Sequence, residues 1–455
     1  MEAITYHSTN LKAPAITFGE ALLQGQAPDR GLYMPSRIPK LATERLDAFA
    51  ELSYPQIAFE VLNAFLKDEI PADTLRALVN DAYDYDVPLE HVTQRQYVMR
   101  LDQGPTASFK DFAARMMGRL MNHFLEKNKR ELLILTATSG DTGSAIANAF
   151  YGLDNIKVLI LFPEKEVTAR QRKQMTTLGK NVRVIALDTK FDDCQALVKQ
   201  AFADKELADL NLSSANSINI GRLLPQSVYY FYAWSQLREA MDDKPIFVVP
   251  SGNFGDMMGG MIAWNMGLPA EKMMIAVNEN DEFPNFLSTG NYQKIEPSRN
   301  CISSAMNVGH PSNLARLVAL YGGIMDEKGV IHKAADMECM RRDMLSWSIT
   351  DAETKKHIAS AWHKHKLLLE PHGAVGWAAL QKHLNATGTS QDERLFVVLE
   401  TAHPAKFPEQ IQEILQFDPE LPPSLRGLEE KEEEYDSLEN NYDAFKAYLL
   451  KNKDR

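Results

Sequence analysis

Along the middle of the chain, short continuous apolar runs alternate with stretches whose apolar positions recur every three or four residues. LLILTAT (132–138), IKVLILF (156–162), NVRVIAL (181–187), PIFVVP (245–250), KMMIAVN (272–278) and RLFVVLE (394–400) are such runs. Each reads as a strand buried on both faces. The intervening stretches read as helices: TGSAIANAFYG after the first run, a segment near 166–178 after the second, and KDFAARMMGRLMNHFLEKN from Lys110. In the last of these, Phe112, Met116, Leu120 and Phe124 recur at i+4 and predict one core-facing stripe. Continuous apolar strands alternating with helices predict an α/β fold with a mostly parallel sheet covered on both faces. Ligands of such sheets bind beyond the carboxyl ends of the strands, so the segments that follow the runs are where chemistry is expected.

The two ends of the chain have a different texture. Residues 1–95 mix short helical patterns with turns such as Ala27-Pro28-Asp29-Arg30-Gly31 and read as a separate N-terminal unit without chemistry of its own. Residues 96–415 form the strand-and-helix body. Residues 416–455, which include GLEEKEEEYDSLENNYDAFKAYLLKNKDR, read as an acidic tail. A solvated helix or frayed terminus is the expected state of that tail, with an interaction segment as the other reading.

Composition narrows the partners. The chain has 455 residues, 45% hydrophobic and 24% charged, with a net charge of −12. This acidic balance argues against nucleic acid as a partner, because phosphate neutralisation needs a clustered excess of Lys and Arg. No apolar run approaches the ~20 residues of a bilayer span. MEAITYHSTN lacks the basic and apolar regions of a secretory signal. Cys194, Cys301 and Cys339 form no CxxC pair. A soluble cytoplasmic protein without membrane, disulfide or structural zinc is therefore expected. Oligomeric state is open.

Five segments carry candidate chemistry. Gly104-Pro-Thr-Ala-Ser-Phe-Lys110-Asp111 places a lysine at a helix start, where positive potential and burial lower an amine's pKa and favour Schiff-base chemistry; an exposed lysine is the plain alternative. Thr136-Ala-Thr-Ser139-Gly140-Asp141-Thr142-Gly143 lies between strand and helix and suits an anion, or an ordinary N-cap. Ser251-Gly252-Asn253-Phe254-Gly255-Asp256 lets backbone N–H groups approach a phosphate, or is a tight turn. It matches neither GxGxxG nor GxxxxGK[ST]. Asn216-Ser217-Ile-Asn-Ile-Gly-Arg222 offers a guanidinium, two amides and a hydroxyl for a dianion, or caps a helix. In Glu400-Thr401-Ala-His-Pro-Ala-Lys-Phe, the Thr401 hydroxyl at a strand end is suited to a ring nitrogen. His363 and His365 are two apart and face different ways on a helix, so no metal site is expected there. No GxSxG nucleophile elbow occurs.

Taken in order, PTxxFKD, TSGDTG, NSIN, SGNFGD and TAHPAKF resemble the threonine synthases, pyridoxal-phosphate enzymes of the tryptophan-synthase-β-like fold (fold type II). TFGEALLQGQAPDRGLYMPSRIP is similar to that family's N-terminal domain. The resemblance runs to about residue 415. It implies a two-lobed core of mostly parallel sheets with an additional N-terminal domain, pyridoxal 5'-phosphate as cofactor, and a small phospho-amino acid as substrate. On it, Lys110 holds the cofactor as a Schiff base and moves protons, and Gly252, Asn253, Phe254 and Gly255 bind the cofactor phosphate. Thr401 meets the pyridine nitrogen. Ser139, Gly140, Asp141 and Thr142 clasp the substrate carboxylate, and Asn216, Ser217 and Arg222 its phosphate. The implied reaction converts O-phospho-L-homoserine and water to L-threonine and phosphate. A hydroxyl at the ring nitrogen need not keep it protonated, which would favour elimination and replacement over transamination. The family often has HGPTLAFKD at the lysine; Gln103, Ala107 and Ser108 depart from that pattern. A phospho-lyase releasing a 2-oxo acid and ammonia, and a non-catalytic protein of the same fold, are the alternatives.

Overall fold

The computed structural model describes residues 3–388 and 393–452. Two sheets organise the chain. The larger has six strands in the order Met344–Ser348, Lys272–Val277, Ile246–Pro250, Phe396–Glu400, Gln96–Arg100 and Leu89–Thr93. All pair in parallel except the last two, which form an antiparallel hairpin. The smaller has five strands, all parallel, in the order Asp436–Leu438, Val182–Leu187, Ile156–Pro163, Leu132–Ala137 and Leu212–Ser213. Ile246–Pro250 and Phe396–Glu400 are buried at every residue, as continuous apolar runs require when helices cover both faces. The α/β expectation holds, with the two mostly parallel sheets that the resemblance implies.

The helix Lys110–Asn128 joins these parts. Its Phe112, Met116, Leu120 and Phe124 are buried as the i+4 stripe predicts, but so are Met117, Met121 and Leu125 on the neighbouring face. It packs against the N-terminal helices Phe18–Gln24 and Ala72–Ala82 and against Asp141–Phe150 in the body. The Phe112 ring centroid lies 5.4 Å from that of Tyr54 and 5.5 Å from that of Tyr229, in edge-on pairs. Each such pair adds about 0.5–1.5 kcal/mol beyond area burial. The N-terminal residues are thereby fastened to the helix that begins with Lys110.

The acidic C-terminal segment is docked as far as it is described, where its sequence suggests solvation or fraying. Asp436–Leu438 adds a parallel edge strand beside Val182–Leu187. The helix Tyr442–Lys451 buries Phe445 and Leu449, two positions four apart, in the core of the smaller sheet. Acidic side chains that precede this helix meet a basic helix, Ala169–Thr176: Arg172 pairs with Glu433 at 2.8 Å, and Arg170 with Asp418 at 2.9 Å and Glu429 at 3.4 Å. The charge that suggests a solvated segment is used here as counter-charge. No helix among the described residues is long and apolar enough to cross a membrane.

Candidate active site

Each of the five candidate segments follows the carboxyl end of a strand. Those beginning after Gln96–Arg100, Ile246–Pro250 and Phe396–Glu400 come from adjacent strands of the larger sheet. Those after Leu132–Ala137 and Leu212–Ser213 come from adjacent strands of the smaller one. They meet in one cleft of about 1360 Å³ between the sheets. Lys110, Ser139, Asp141, Thr142, Asn216, Ser217, Arg222, Gly252, Asn253, Phe254, Gly255 and Thr401 all line it. Gly140 does not. It lies under the turn at φ +131°, a left-handed conformation that favours glycine, and a Cβ there would stand 2.5 Å from the Gln171 side chain.

Lys110 is the first residue of its helix, and its side chain is 13% exposed. Nζ lies 4.0 Å from Asp141 Oδ2 and 4.7 Å from the centroid of the Phe109 ring. Burial lowers the pKa of this amine; Asp141 opposes the shift, and the Lys406 and Arg222 cations add to it. A neutral amine is thereby brought closer to physiological pH, as a nucleophile or proton carrier requires. Asp141 itself serves Lys406, whose fully buried Nζ stands 2.7 Å from Oδ1 and donates to Thr106 O at 2.7 Å. Gln171 Nε2 donates to the same carboxylate at 2.8 Å. Burial disfavours ionisation of Asp141, but Lys406 and Lys110 hold its pKa well below the usual carboxylate range.

At the glycine-rich loop, Phe254 adopts φ 61° and the helix Gly255–Met266 starts without a side-chain cap. A Cβ on Gly252 would lie 2.7 Å from Ala305 O and 3.0 Å from Met306 Cα, so only glycine fits this approach of two backbones. Asn313 Nδ2 donates to Asn253 O at 2.9 Å and to Ser217 O at 3.2 Å, tying this loop to the 216–222 segment. There, Arg222 is buried and donates to Ala215 O at 2.6 Å, while its Nε has no hydrogen-bond partner. Burial lowers the guanidinium pKa to about 10, against the attraction of Asp111 and Tyr229. A buried arginine with an unused donor is a receptor for an oxyanion.

Thr401 is held by its backbone, whose carbonyl accepts from Phe109 N–H at 2.9 Å, so it is fixed to the residue preceding Lys110. Its hydroxyl faces Glu370, with Oγ1 3.4 Å from Oε1.

Motif reading leaves several site residues unremarked. Lys406 lies within TAHPAKF, but nothing local marks it as the partner of Asp141. Glu370 and His372, at the start of the helix Pro371–Thr387, reach the back of the site through a turn with no distinctive local pattern. Thr9, Asn10, Gln24, Gln26 and Arg30 line the cleft from the N-terminal residues, where the sequence shows no chemistry. The Asp29 turn places them: its carboxylate accepts from Ser8 Oγ at 2.7 Å and from the N–H groups of Lys12, Ala13 and Gly31.

Comparison with known proteins agrees with this geometry. Residues 86–401 match the family described as "Pyridoxal-phosphate dependent enzyme", residues 5–83 match "Threonine synthase N terminus", and residues 373–449 match "Threonine synthase, C-terminal". The last match extends the likeness beyond residue 415. The chain is 39% identical to threonine synthase of Haemophilus influenzae over 445 residues, covering 97% of this chain and 99% of that one. It is 38% identical to the Escherichia coli enzyme over 411 residues, covering 90% and 91%. Among solved structures, pyridoxal-phosphate-bound threonine synthase of Brucella melitensis superposes with a TM-score of 0.91 at 36% identity, over 100% of both chains. The yeast enzyme superposes with a TM-score of 0.89 at 31% identity, over 98% of both. Maize serine racemase, at 15% identity and a TM-score of 0.54, shares the fold. With these matches along the whole chain, and with Lys110, the glycine-rich loop and Arg222 brought into one cleft, the chain belongs to the threonine synthase family of pyridoxal-phosphate enzymes.

Proposed function

We propose that this enzyme converts O-phospho-L-homoserine and water to L-threonine and phosphate, with the residue roles set out below. The observation that carries the reading is one cleft lined by the largely enclosed Lys110 and by two separate segments, 251–255 and 216–222, whose backbone N–H groups and Arg222 suit anions. Two phosphates need two such segments: one for the cofactor and one for the substrate.

The residues fit pyridoxal phosphate. Lys110 is largely enclosed beside an aromatic ring, the uncapped start of Gly255–Met266 suits a phosphate, and the close approach at Gly252 keeps that loop free of side chain. When bound, the cofactor supplies the electron sink that stabilises negative charge on the substrate carbons next to its amine. With the cofactor in place, Lys110 would take a proton from Cα and give it up again before removing one from Cβ as the Cγ–O bond to phosphate breaks; it would return a proton to Cγ before water adds at Cβ, and one to Cα afterwards. Asn216, Ser217 and Arg222 hold the phosphate while it is ester and after it leaves. Arg222, with its unpaired Nε, offsets the charge that builds on the leaving oxygen.

The carboxylate side is held differently from a simple side-chain clasp. The Asp141 carboxylate is occupied by Lys406 and Gln171 and would repel a second anion. Binding therefore falls to the hydroxyls of Ser139 and Thr142 and to those N–H groups at the start of the helix Asp141–Phe150 that Thr138 Oγ1, which accepts from Gly140 and Gly143 N–H, leaves unused. Gly140 acts by permitting the turn. We also place the enzyme in the cytoplasm, where Cys194, Cys301 and Cys339 would remain free thiols as they are in the structure; cell fractionation checks this.

The test is a coupled assay with phosphohomoserine. Threonine and phosphate in equal amounts are expected; phosphate with 2-oxobutyrate and no threonine would refute the synthase assignment in favour of a phospho-lyase.

A further inference from the structure

Behind Thr401 lies a buried polar network that the reaction, as described so far, does not use. Glu370 is fully buried and outside the cleft, and its carboxylate accepts from four donors. Oε2 accepts from His372 N–H at 2.8 Å and from His372 Nδ1 at 2.5 Å. Oε1 accepts from Gly373 N–H at 2.8 Å and lies 3.4 Å from Thr401 Oγ1. Ala305 N–H donates to His372 Nε2 at 3.0 Å, so Nε2 is the acceptor, and the ring proton sits on Nδ1, pointing at Glu370. On its other side, the Glu370 N–H donates to Glu400 Oε1 at 2.9 Å, and Arg100 lies 4.0 Å from that oxygen.

All four hydrogen-bond partners of the Glu370 carboxylate are donors, as an ionised carboxylate requires and a protonated one does not; the neighbouring Glu400 carboxyl is the one whose ionisation burial and Glu370 oppose. A hydroxyl has one proton. Next to a carboxylate it donates there, because a charge-assisted hydrogen bond is about twice as strong as a neutral one. Thr401 therefore presents only lone pairs to the cleft.

We infer that Glu370 is a positioning residue that orients the Thr401 hydroxyl as an acceptor, so that the cofactor's ring nitrogen is held protonated. This inference rests on the reading of Thr401 as the partner of that nitrogen. A bare pyridine nitrogen would set two acceptors against each other; a pyridinium N–H completes the chain from ring to Thr401 to Glu370. The expectation that a hydroxyl leaves the ring a weaker sink then fails for this chain, because the hydroxyl is not free to donate. A protonated ring suits the chemistry, which must stabilise charge at Cβ as well as at Cα.

The measurement is the ¹⁵N resonance of ring-labelled pyridoxal phosphate bound to the holoenzyme, which reports ring protonation independently of turnover. The wild-type signal is expected in the pyridinium range, and a signal in the free-pyridine range overturns the inference without any variant. In Glu370→Gln, one oxygen is claimed by His372, and the new NH₂ group faces Thr401, whose hydroxyl turns toward the ring. The resonance should shift to the pyridine range there and in Thr401→Val, but remain in the pyridinium range in Thr401→Ser. A shift in Thr401→Val with none in Glu370→Gln overturns the role of Glu370 alone. No shift in Thr401→Val overturns the Thr401 reading and the inference with it. Should Glu370→Gln not fold, Glu370→Asp, which draws the carboxylate back from the hydroxyl, is expected to give a partial shift; an unchanged resonance counts against Glu370.

Discussion

Replacing Asp141 by Asn leaves Lys406 as a fully buried cation without its ion-pair partner, held by neutral acceptors such as Thr106 O. At the observed 2.7 Å, Coulomb's law with an effective dielectric of 20 gives about 6 kcal/mol of gross attraction for this pair. Desolvation of both groups offsets much of that, so the pair's net worth is small, but removing one partner strands the other. Breaking a buried pair in this way costs about 3–5 kcal/mol, roughly two to four decades in the unfolding constant. Asp141→Asn and Lys406→Met should each show this loss as a lowered midpoint in urea denaturation of the holoenzyme at pH 7, read at constant slope. The double variant should recover at least half of it, because replacing both partners is often close to neutral. The pH dependence follows from the depressed pKa of Asp141. Its contribution is present above the unfolded carboxylate value and is lost as pH falls through the folded one. Wild-type stability should therefore decline below about pH 4, and more steeply than that of Asp141→Asn. Single variants that lose under about 1 kcal/mol, or a double variant worse than either single, would show that Lys406 finds another partner and that the reasoning is wrong.

Other predictions concern separate parts of the molecule. Lys110→Ala should abolish the visible absorbance of lysine-bound cofactor and lower kcat by at least about 10²-fold, the lower range for general acid–base catalysis; an unchanged spectrum refutes the assignment. Gly252→Ala should weaken cofactor binding roughly 10–100-fold, since relieving a backbone contact of 2.7 Å costs about 1–3 kcal/mol; titration of the apoenzyme with pyridoxal phosphate measures this. Arg222→Met should reduce kcat/KM for phosphohomoserine about 10–100-fold, from lost charge-assisted bonds worth about 1.5–3 kcal/mol, and a change below threefold would remove it from the phosphate pocket. Phe445→Ala should destabilise the protein by about 3–5 kcal/mol, as for a core phenylalanine, and thermal denaturation with no shift would mean that the C-terminal helix does not share the core. Asp256 is buried, which raises its pKa to about 6, against the hydroxyls of Tyr229 and Tyr230. It opposes folding increasingly as pH rises from about 4 to 6, so Asp256→Asn should flatten the stability profile over that window and be more stable than wild type at pH 8.

Much of the site was legible because its parts are local. The run LLILTAT, its glycine turn and the helix after it are contiguous, and strand and helix periods leave their signatures within a dozen residues. The position of Lys110 at the start of an amphipathic helix, the five segments at strand ends and the family they indicate all follow from such short-range patterns. Other features depend on residues far apart in the chain, for which no periodicity exists. Lys406 is one lysine among many until the fold sets it against Asp141, and Glu370 an ordinary helix cap until the fold sets it behind Thr401. The N-terminal turn that walls the cleft and the acidic segment that neutralises Arg170 and Arg172 are likewise products of tertiary contact. Sequence alone thus determined which elements form, which segments stand at the strand ends that meet in the cleft, and which lysine opens the helix there. The tertiary structure decided which charges are paired, which carboxylate stands behind Thr401 and what walls the cleft, because burial and charge pairing depend on everything that packs around a group and not on its neighbours in the chain.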